Sequence, residues 1–209
     1  MKFYDCQTAP SPRRVRMFIA EKHLNIETVQ VDLRNGEQLS EAFLAVNPRA
    51  TVPVIETDSG ARFLSTAGCR AYLEASHPEP ALLGRDATER AEVADLIAAI
   101  EADAFMAVAE CLRNSAKGMR GRALTGPQSY AQIPELAERG RTRAGRFLPE
   151  LNAALEGREF LVGETLTAAD IDAFVFVEFS QWIKLDVPAT LTNLARWRTA
   201  VAARPSAGL

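Results

Sequence analysis

The residues best placed to do chemistry are the block Asn47-Pro48-Arg49-Ala50-Thr51-Val52-Pro53-Val54-Ile55 and, ten residues on, Ser65-Thr66. Pro53 stands immediately before the β-rich run Val54-Ile55-Glu56-Thr57. Proline fixes φ and has no N–H to donate, so it suits the entry or edge of a strand. The bond before it can also be cis, in a tight turn. Such a turn leaves the backbone N–H and C=O of Val52 unpaired within the chain. An extended peptide ligand can then dock as one more short strand, held by main-chain hydrogen bonds. An ordinary loop-to-strand turn would explain Val52-Pro53 equally well, so the rest of the chain has to decide.

Few other residues offer reactive chemistry. Three cysteines, Cys6, Cys69 and Cys111, are too scattered for a disulfide framework. His23 and His77 do not make a metal-ligand spacing, so no metal is expected. Cys6 is followed three positions later by Ala9, not by a second cysteine, so a dithiol redox motif is absent and a buried structural thiol is the expectation. That argues against a disulfide reductase working through Cys6. A net charge of −3 gives no reason to expect nucleic acid or an anionic membrane as partner. The basic clusters Arg13-Arg14-Val15-Arg16 and residues 117–122 read as solvated faces or helix ends. The apolar stretch at 96–112 is interrupted by Glu101, Asp103 and Glu110 and cannot span a bilayer. With 47% apolar and 24% charged residues and no apolar leader, the chain reads as an ordinary cytoplasmic globular protein.

The elements that must hold these residues fall into two halves of different period. Residues 2–76 alternate strand and helix signals. Phe3-Tyr4 opens a strand, residues 15–22 carry Val15, Phe18 and Ile19 at helical spacing, and residues 26–33 alternate as a strand. A short helix at 39–46, a hairpin at 54–64 around Asp58-Ser59-Gly60, and a helix at 66–76 complete a βαβ, α, ββα order, which implies mixed pairing. His77-Pro78-Glu79-Pro80 breaks the pattern. The division is therefore 1–77, a linker at 78–86, and an all-helical 87–209. That half predicts one long helix from 88 to about 116, a Gly-rich loop, and a helix at 136–155 kinked or restarted by Pro149. Thr167-Ala168-Ala169-Asp170 caps the next helix as a variant capping box, and a last helix covers 191–203.

In this order and spacing the chain resembles a cytosolic glutathione transferase of the bacterial kind. The residues that carry the resemblance are Arg14-Val15-Arg16, the Asn47-Pro48 to Ile55 block, Ser65-Thr66 before Tyr72-Leu73-Glu74, Phe160-Leu161-Val162-Gly163 leading into Leu166-Thr167-Ala168-Ala169-Asp170-Ile171, and Arg204-Pro205-Ser206. They span nearly the whole length. The resemblance implies a thioredoxin-like N-terminal domain, a helical bundle behind it, and a homodimer. It also implies that Pro53 is cis, that Val52 pairs its backbone with the cysteinyl part of glutathione, and that Thr66 at a helix N-terminus holds the γ-glutamyl carboxylate, where free N–H groups and the dipole favour an anion.

Two positions depart from the family pattern. The residue before Thr66, usually Glu or Gln, is Ser65, which can donate to a carboxylate but cannot offset an ammonium group. The hydroxyl or thiol that lowers the pKa of the glutathione thiol normally stands six residues before Val15, and here that residue is Ala9. Thr8 and Ser11 flank it, and Ser11 lies closer to the helix start. A backbone N–H of the turn is a third donor, and Thr8 and Ser11 also suit plain turn and capping roles. A second, electrophilic and hydrophobic substrate would meet Phe105, Met106, Val108 and Tyr130, with Trp182 as a further wall. Core packing accounts for Phe105, Val108 and Trp182 equally well. Arg113, Arg120 and Arg122 hint at an anionic co-substrate. The resemblance thus implies an enzyme that activates glutathione as co-substrate. Ala9 and Ser65 keep open a binding protein of the same fold with little catalysis.

Overall fold

The computed structural model describes residues 1–209, which divide into two compact units. The first comprises Met1–Ala81 with Thr125–Gln128 and Leu209, the second Leu82–Leu124 with Ser129–Gly208.

The first unit is built on a four-stranded sheet in the order β2-β1-β3-β4. Strand β1 (Lys2–Asp5) pairs parallel with β2 (Glu27–Gln30) and antiparallel with β3 (Val54–Glu56), which in turn pairs antiparallel with β4 (Arg62–Phe63). This is the thioredoxin-like arrangement. Strand β2 is shorter than its alternating pattern predicts. Beyond Val31, whose N–H still reaches Asp5 O at 2.7 Å, Asp32 turns the chain by accepting from the N–H groups of Arg34 and Asn35.

Helix α1 runs from Pro10 to Glu21, so it starts five residues earlier than the apolar spacing suggests. Prolines at its first and third positions fit because a first-turn N–H has no intrahelical partner to lose. Helix α1 and helix α3 (Thr66–Ser76) both pack in this unit, with α2 (Glu41–Val46) between β2 and β3 in sequence. Val15, Met17, Phe18, Val54, Ile55 and Leu73 make its core. Lys22 is fully buried, and its ammonium donates to His77 O and Pro80 O at 2.7 Å and pairs with Glu74 at 2.7 Å. Two carbonyls thus take up protons of the ammonium, the Glu74 carboxylate offsets its charge, and the breaker segment is tied down to the end of α1.

The second unit is helical. Asp86 caps α4 (Ala87–Ala99) by accepting from Thr88 N and Glu89 N. The predicted single long helix is interrupted in its hydrogen bonding by a π-helical stretch, Ile100–Phe105, before α5 (Met106–Ser115). Helix α6 (Pro134–Ala154) carries Pro149 inside it as one continuous helix, so of the kink or restart expected there the restart does not occur. Pro149 is solvent-exposed, so the carbonyl that loses its donor is not stranded in the core. Helices α5 and α6 touch closely at Gly140, where an added Cβ would come within 2.5 Å of Ala107 O. Helix α7 (Ala168–Ser180) is almost wholly buried. The Asp170 carboxylate at its start accepts from Thr167 N and Oγ1, Leu161 N and Trp197 Nε1, each at 3.0 Å. Burial nonetheless pushes the Asp170 carboxyl above its ordinary value. Helix α8 (Thr192–Ala202) closes the unit. No helix is long and apolar enough to cross a membrane.

Candidate functional site

The first unit brings three anion-friendly features together. The first is the Val52–Pro53 peptide, which is cis. Asn47 shapes the approach to it, with Nδ2 donating to Thr51 O at 2.7 Å and Oδ1 accepting from Arg49 N at 3.0 Å. Ala50 in the same turn adopts φ 52°. No hydrogen bond within the chain engages the N–H or C=O of Val52, so both remain open to a ligand strand. Its side chain is buried with Cys6, Val31 and Phe43, which anchors the turn from beneath.

The second feature is the start of α3. Ser65, not Thr66, is the capping residue, and its Oγ accepts from Gly68 N at 3.0 Å. Thr66 is the first helical residue. With Gly68 satisfied by the cap and Cys69 N bonded to Ser65 O, the N–H groups of Thr66 and Ala67 are the free donors of this turn. The Ser65 hydroxyl spends its lone pair on the cap and keeps its proton to donate. Arg14 on α1 reaches across with Nη2 3.4 Å from Thr66 Oγ1. Arg14 is only 3% exposed. A buried guanidinium thus adds its charge to the helix dipole at the start of α3.

The third feature is the start of α1. Ala9 is its capping residue and offers no side-chain hydrogen bond, while its own N–H is spent on Cys6 O at 2.9 Å. Pro10 and Pro12 contribute no N–H, and Arg13 N already bonds Ala9 O. Within the first turn Ser11 alone therefore supplies free donors, one from its backbone and one from its hydroxyl. Thr8 lies ahead of the cap, exposed, with its hydroxyl 3.5 Å from Cys6 Sγ.

The reading of residues 13–16 as a solvated basic face needs correcting. Arg14 is buried, and Arg16 Nη1 holds the buried Asp5 carboxylate at 2.6 and 2.7 Å. Arg14 joins the candidate site although no motif in the sequence singles it out. The available signal was its place on the stripe Arg14, Val15, Phe18, Ile19, which is the buried face of α1.

The three cysteines are buried and free. Cys69, although in the first turns of α3, donates to Phe63 O and is pushed up to about 12 by burial. Burial likewise raises the Cys111 thiol.

The residues expected to line a second-substrate pocket all lie in the second unit and divide by burial. Phe105 and Val108 are interior side chains, Phe105 packing on Phe179 with ring centroids 5.3 Å apart. Met106 and Tyr130 are 47% and 46% exposed. Trp182, 53% exposed, stands edge-on to Phe179 at 5.3 Å.

Comparison with known proteins agrees with this architecture. Residues 8–75 match the family model of the glutathione S-transferase N-terminal domain, and residues 101–205 match that of the C-terminal domain. Glutathione S-transferase 2 of Saccharomyces cerevisiae is 28% identical over 209 residues, covering 99% of this chain and 87% of its own length. A crystal structure of a glutathione S-transferase domain-containing protein from Marinobacter aquaeolei superposes with a TM-score of 0.89 at 35% identity, covering 99% of each chain. The structure of Gtt2 from Saccharomyces cerevisiae superposes with a TM-score of 0.90 at 27% identity, over 100% of this chain and 99% of its own. With both halves accounted for and the shared fold running end to end, the chain belongs to the glutathione S-transferase family.

Proposed function

We propose that the chain binds glutathione in its first unit and activates the thiol for attack on an electrophilic, hydrophobic second substrate. The γ-glutamyl carboxylate takes the start of α3, held by the Thr66 hydroxyl and N–H, by Ala67 N–H and by Arg14, with Ser65 donating alongside. The cysteinyl part pairs with the backbone of Val52 beside Pro53. Its sulfur meets the start of α1, where Ser11 stabilises the thiolate by hydroxyl or N–H. A free thiol has a pKa of about 8.5, so a hydrogen bond and a helix N-terminus that favour the charged form raise the reactive fraction near neutral pH. Ala9 closes the turn without a donor, and Thr8 is the alternative hydroxyl. Met106 and Tyr130, the exposed members of the pocket residues, are the ones accessible to a second substrate. By family resemblance the working form is a homodimer.

The observation that carries this reading is the Arg14 to Thr66 contact, because it places a buried cation on a helix N-terminus that still has free N–H groups. The test is a calorimetric titration with reduced and with oxidised glutathione, followed by ultraviolet absorbance of the bound thiolate against pH. Micromolar to low-millimolar binding of the reduced form, with a thiol pKa below that of free glutathione, is the expected result. Preference for the oxidised form would move the reading toward disulfide chemistry. Absence of binding would leave a protein of this fold that does not use glutathione, as the donorless Ala9 cap allows.

A further inference from the structure

Between Glu110 and Glu135 the chain holds four cations, Arg113, Lys117, Arg120 and Arg122, and no acidic residue. A protein of net charge −3 has therefore gathered a block of +4 into the end of α5 and the loop that follows it. The nearest carboxylate in sequence, Glu110, is already taken by Arg139 and Arg143. None of the four cations enters an ion pair. The loop is nevertheless well built. Arg122 and Tyr130 form a parallel β-bridge, and Gln132 Nε2 donates to Arg113 O and Ala116 O at 2.7 and 2.8 Å. Ile133 N donates to Asn114 Oδ1 at 2.9 Å.

Arg113, in the last turn of α5, anchors one side of its guanidinium on this loop. Nη1 donates to Arg122 O at 2.9 Å and to Leu124 O at 3.5 Å. The other edge, Nε with Nη2, has no partner in the protein. That edge is the planar two-donor fork that matches a carboxylate or similar oxyanion bidentately. Burial, together with the charge of Arg122 nearby, pushes the guanidinium below its ordinary value, so an anion arriving there would relieve an unbalanced charge. The same loop exposes two large apolar side chains, Leu124 at 53% and Tyr130 at 46%; Leu124 gives its carbonyl to Nη1, and Tyr130 bridges Arg122.

We propose that the Nε–Nη2 edge of Arg113, with Arg122 and the exposed Leu124 and Tyr130 of the loop it staples, binds the carboxylate of a small organic acid with an apolar body. The site lies entirely in the second unit and is independent of the glutathione reading. The acid can be the second substrate or a ligand that does not react, and the two share the same recognition chemistry.

The test is calorimetry on the full chain with naphthoate and with its neutral carboxamide. Wild type should bind naphthoate about tenfold more tightly than the amide, with an affinity that falls as salt rises. Arg113→Gln should abolish that preference. Arg113→Lys, which keeps the charge and loses the fork, should keep only part of it. Because Arg113 also staples the loop, Arg122→Gln provides the second variant. It removes a charge while leaving the Arg122 carbonyl that accepts the staple, and it should weaken naphthoate by about three- to fivefold without affecting the amide. Equal binding of acid and amide by wild type, or unchanged naphthoate affinity in both Gln variants, would overturn the proposal. Consumption of carboxylated electrophiles with glutathione, lost selectively in Arg113→Gln, would identify the acid as second substrate. Binding without consumption would identify a non-reacting ligand.

Discussion

Helices α1 and α3 begin in the same unit and are linked by the Arg14 to Thr66 contact, yet their first turns are built in opposite ways. The start of α3 is rich in donors. A serine cap satisfies the third amide, two amides stay free, a hydroxyl lies at the first position, and a buried guanidinium reaches in. The start of α1 is stripped. Its cap is an alanine, two of its first three residues are prolines, and Ser11 alone has protons to give. The difference suits the two jobs proposed for them. A carboxylate carries its charge at neutral pH and needs several strong donors to hold it. A thiolate has to be favoured only enough to form, and one well-placed donor does that without gripping the sulfur too tightly to react.

Breaking the donor-rich end should have the largest effect. Arg14→Leu removes a charge-assisted contact, and glutathione affinity should fall by about 10- to 100-fold, as a loss of roughly 1.5–3 kcal/mol implies, measured by calorimetry. Arg14→Lys should retain part of it, and equal affinity in both variants would show that Arg14 does not reach the ligand. At the sparse end, Ser11→Ala should raise the pKa of the bound thiol by about one unit, or roughly 1.4 kcal/mol, with little change in glutathione affinity. An unaltered absorbance titration would transfer the role to Thr8 or to the Ser11 N–H. Ser65→Ala removes the α3 cap and should lower stability by about 1 kcal/mol, visible as a Tm shift of about 2–4 °C. Pro12→Ala adds one amide to the start of α1 and should lower the bound thiol pKa by only about a few tenths of a unit, within the range of a single dipole contact.

The donor-rich helix also carries a thiol. Cys69 sits at the fourth position of α3, where a helix N-terminus lowers a thiol pKa, yet burial carries it up to about 12. A raised folded value favours the protonated form, so the thiol stays neutral at every pH up to well above 9 while the protein is folded. It should resist an aromatic disulfide reagent in the native protein at pH 8 and react once the protein is unfolded. Rapid native labelling of Cys69 would mean that the start of α3 opens more freely than its packing indicates.

The fold was largely readable because its signals are local and repeated. The hairpin around Gly60 and the Thr167 to Asp170 cap each join residues a few positions apart, and the alternation around residues 27–30 marks a strand by its own period before its partner β1 is known. Errors fell where a local rule met a tertiary exception. Apolar spacing begins at Val15, so it concealed the first turn of α1, which proline geometry rather than hydrophobicity had set. The π-helical stretch before Met106 left no composition signal, and Pro149 was accommodated because its position faces solvent. Among the candidate site residues, Val52, Pro53 and Thr66 stand out in the sequence by motif. Ser65 was recognised as a departure, although its part as the α3 cap emerged only from the hydrogen bond to Gly68.

The sequence by itself determined the two-part architecture, the mixed sheet and the turn at Val52–Pro53, because these follow from backbone chemistry and from the period of apolar residues. Tertiary structure decided what the charged side chains do. Arg14, Arg16 and Lys22 look alike in a basic amphipathic stretch. Folding places the first against Thr66, the second on buried Asp5 and the third under the segment that ends the first unit. Arg113 reads as one more surface cation until the loop closes around one edge of its guanidinium and leaves the other edge open. Long side chains take their roles from what the fold brings within a few ångströms of their tips, and no local pattern in the chain encodes that distance.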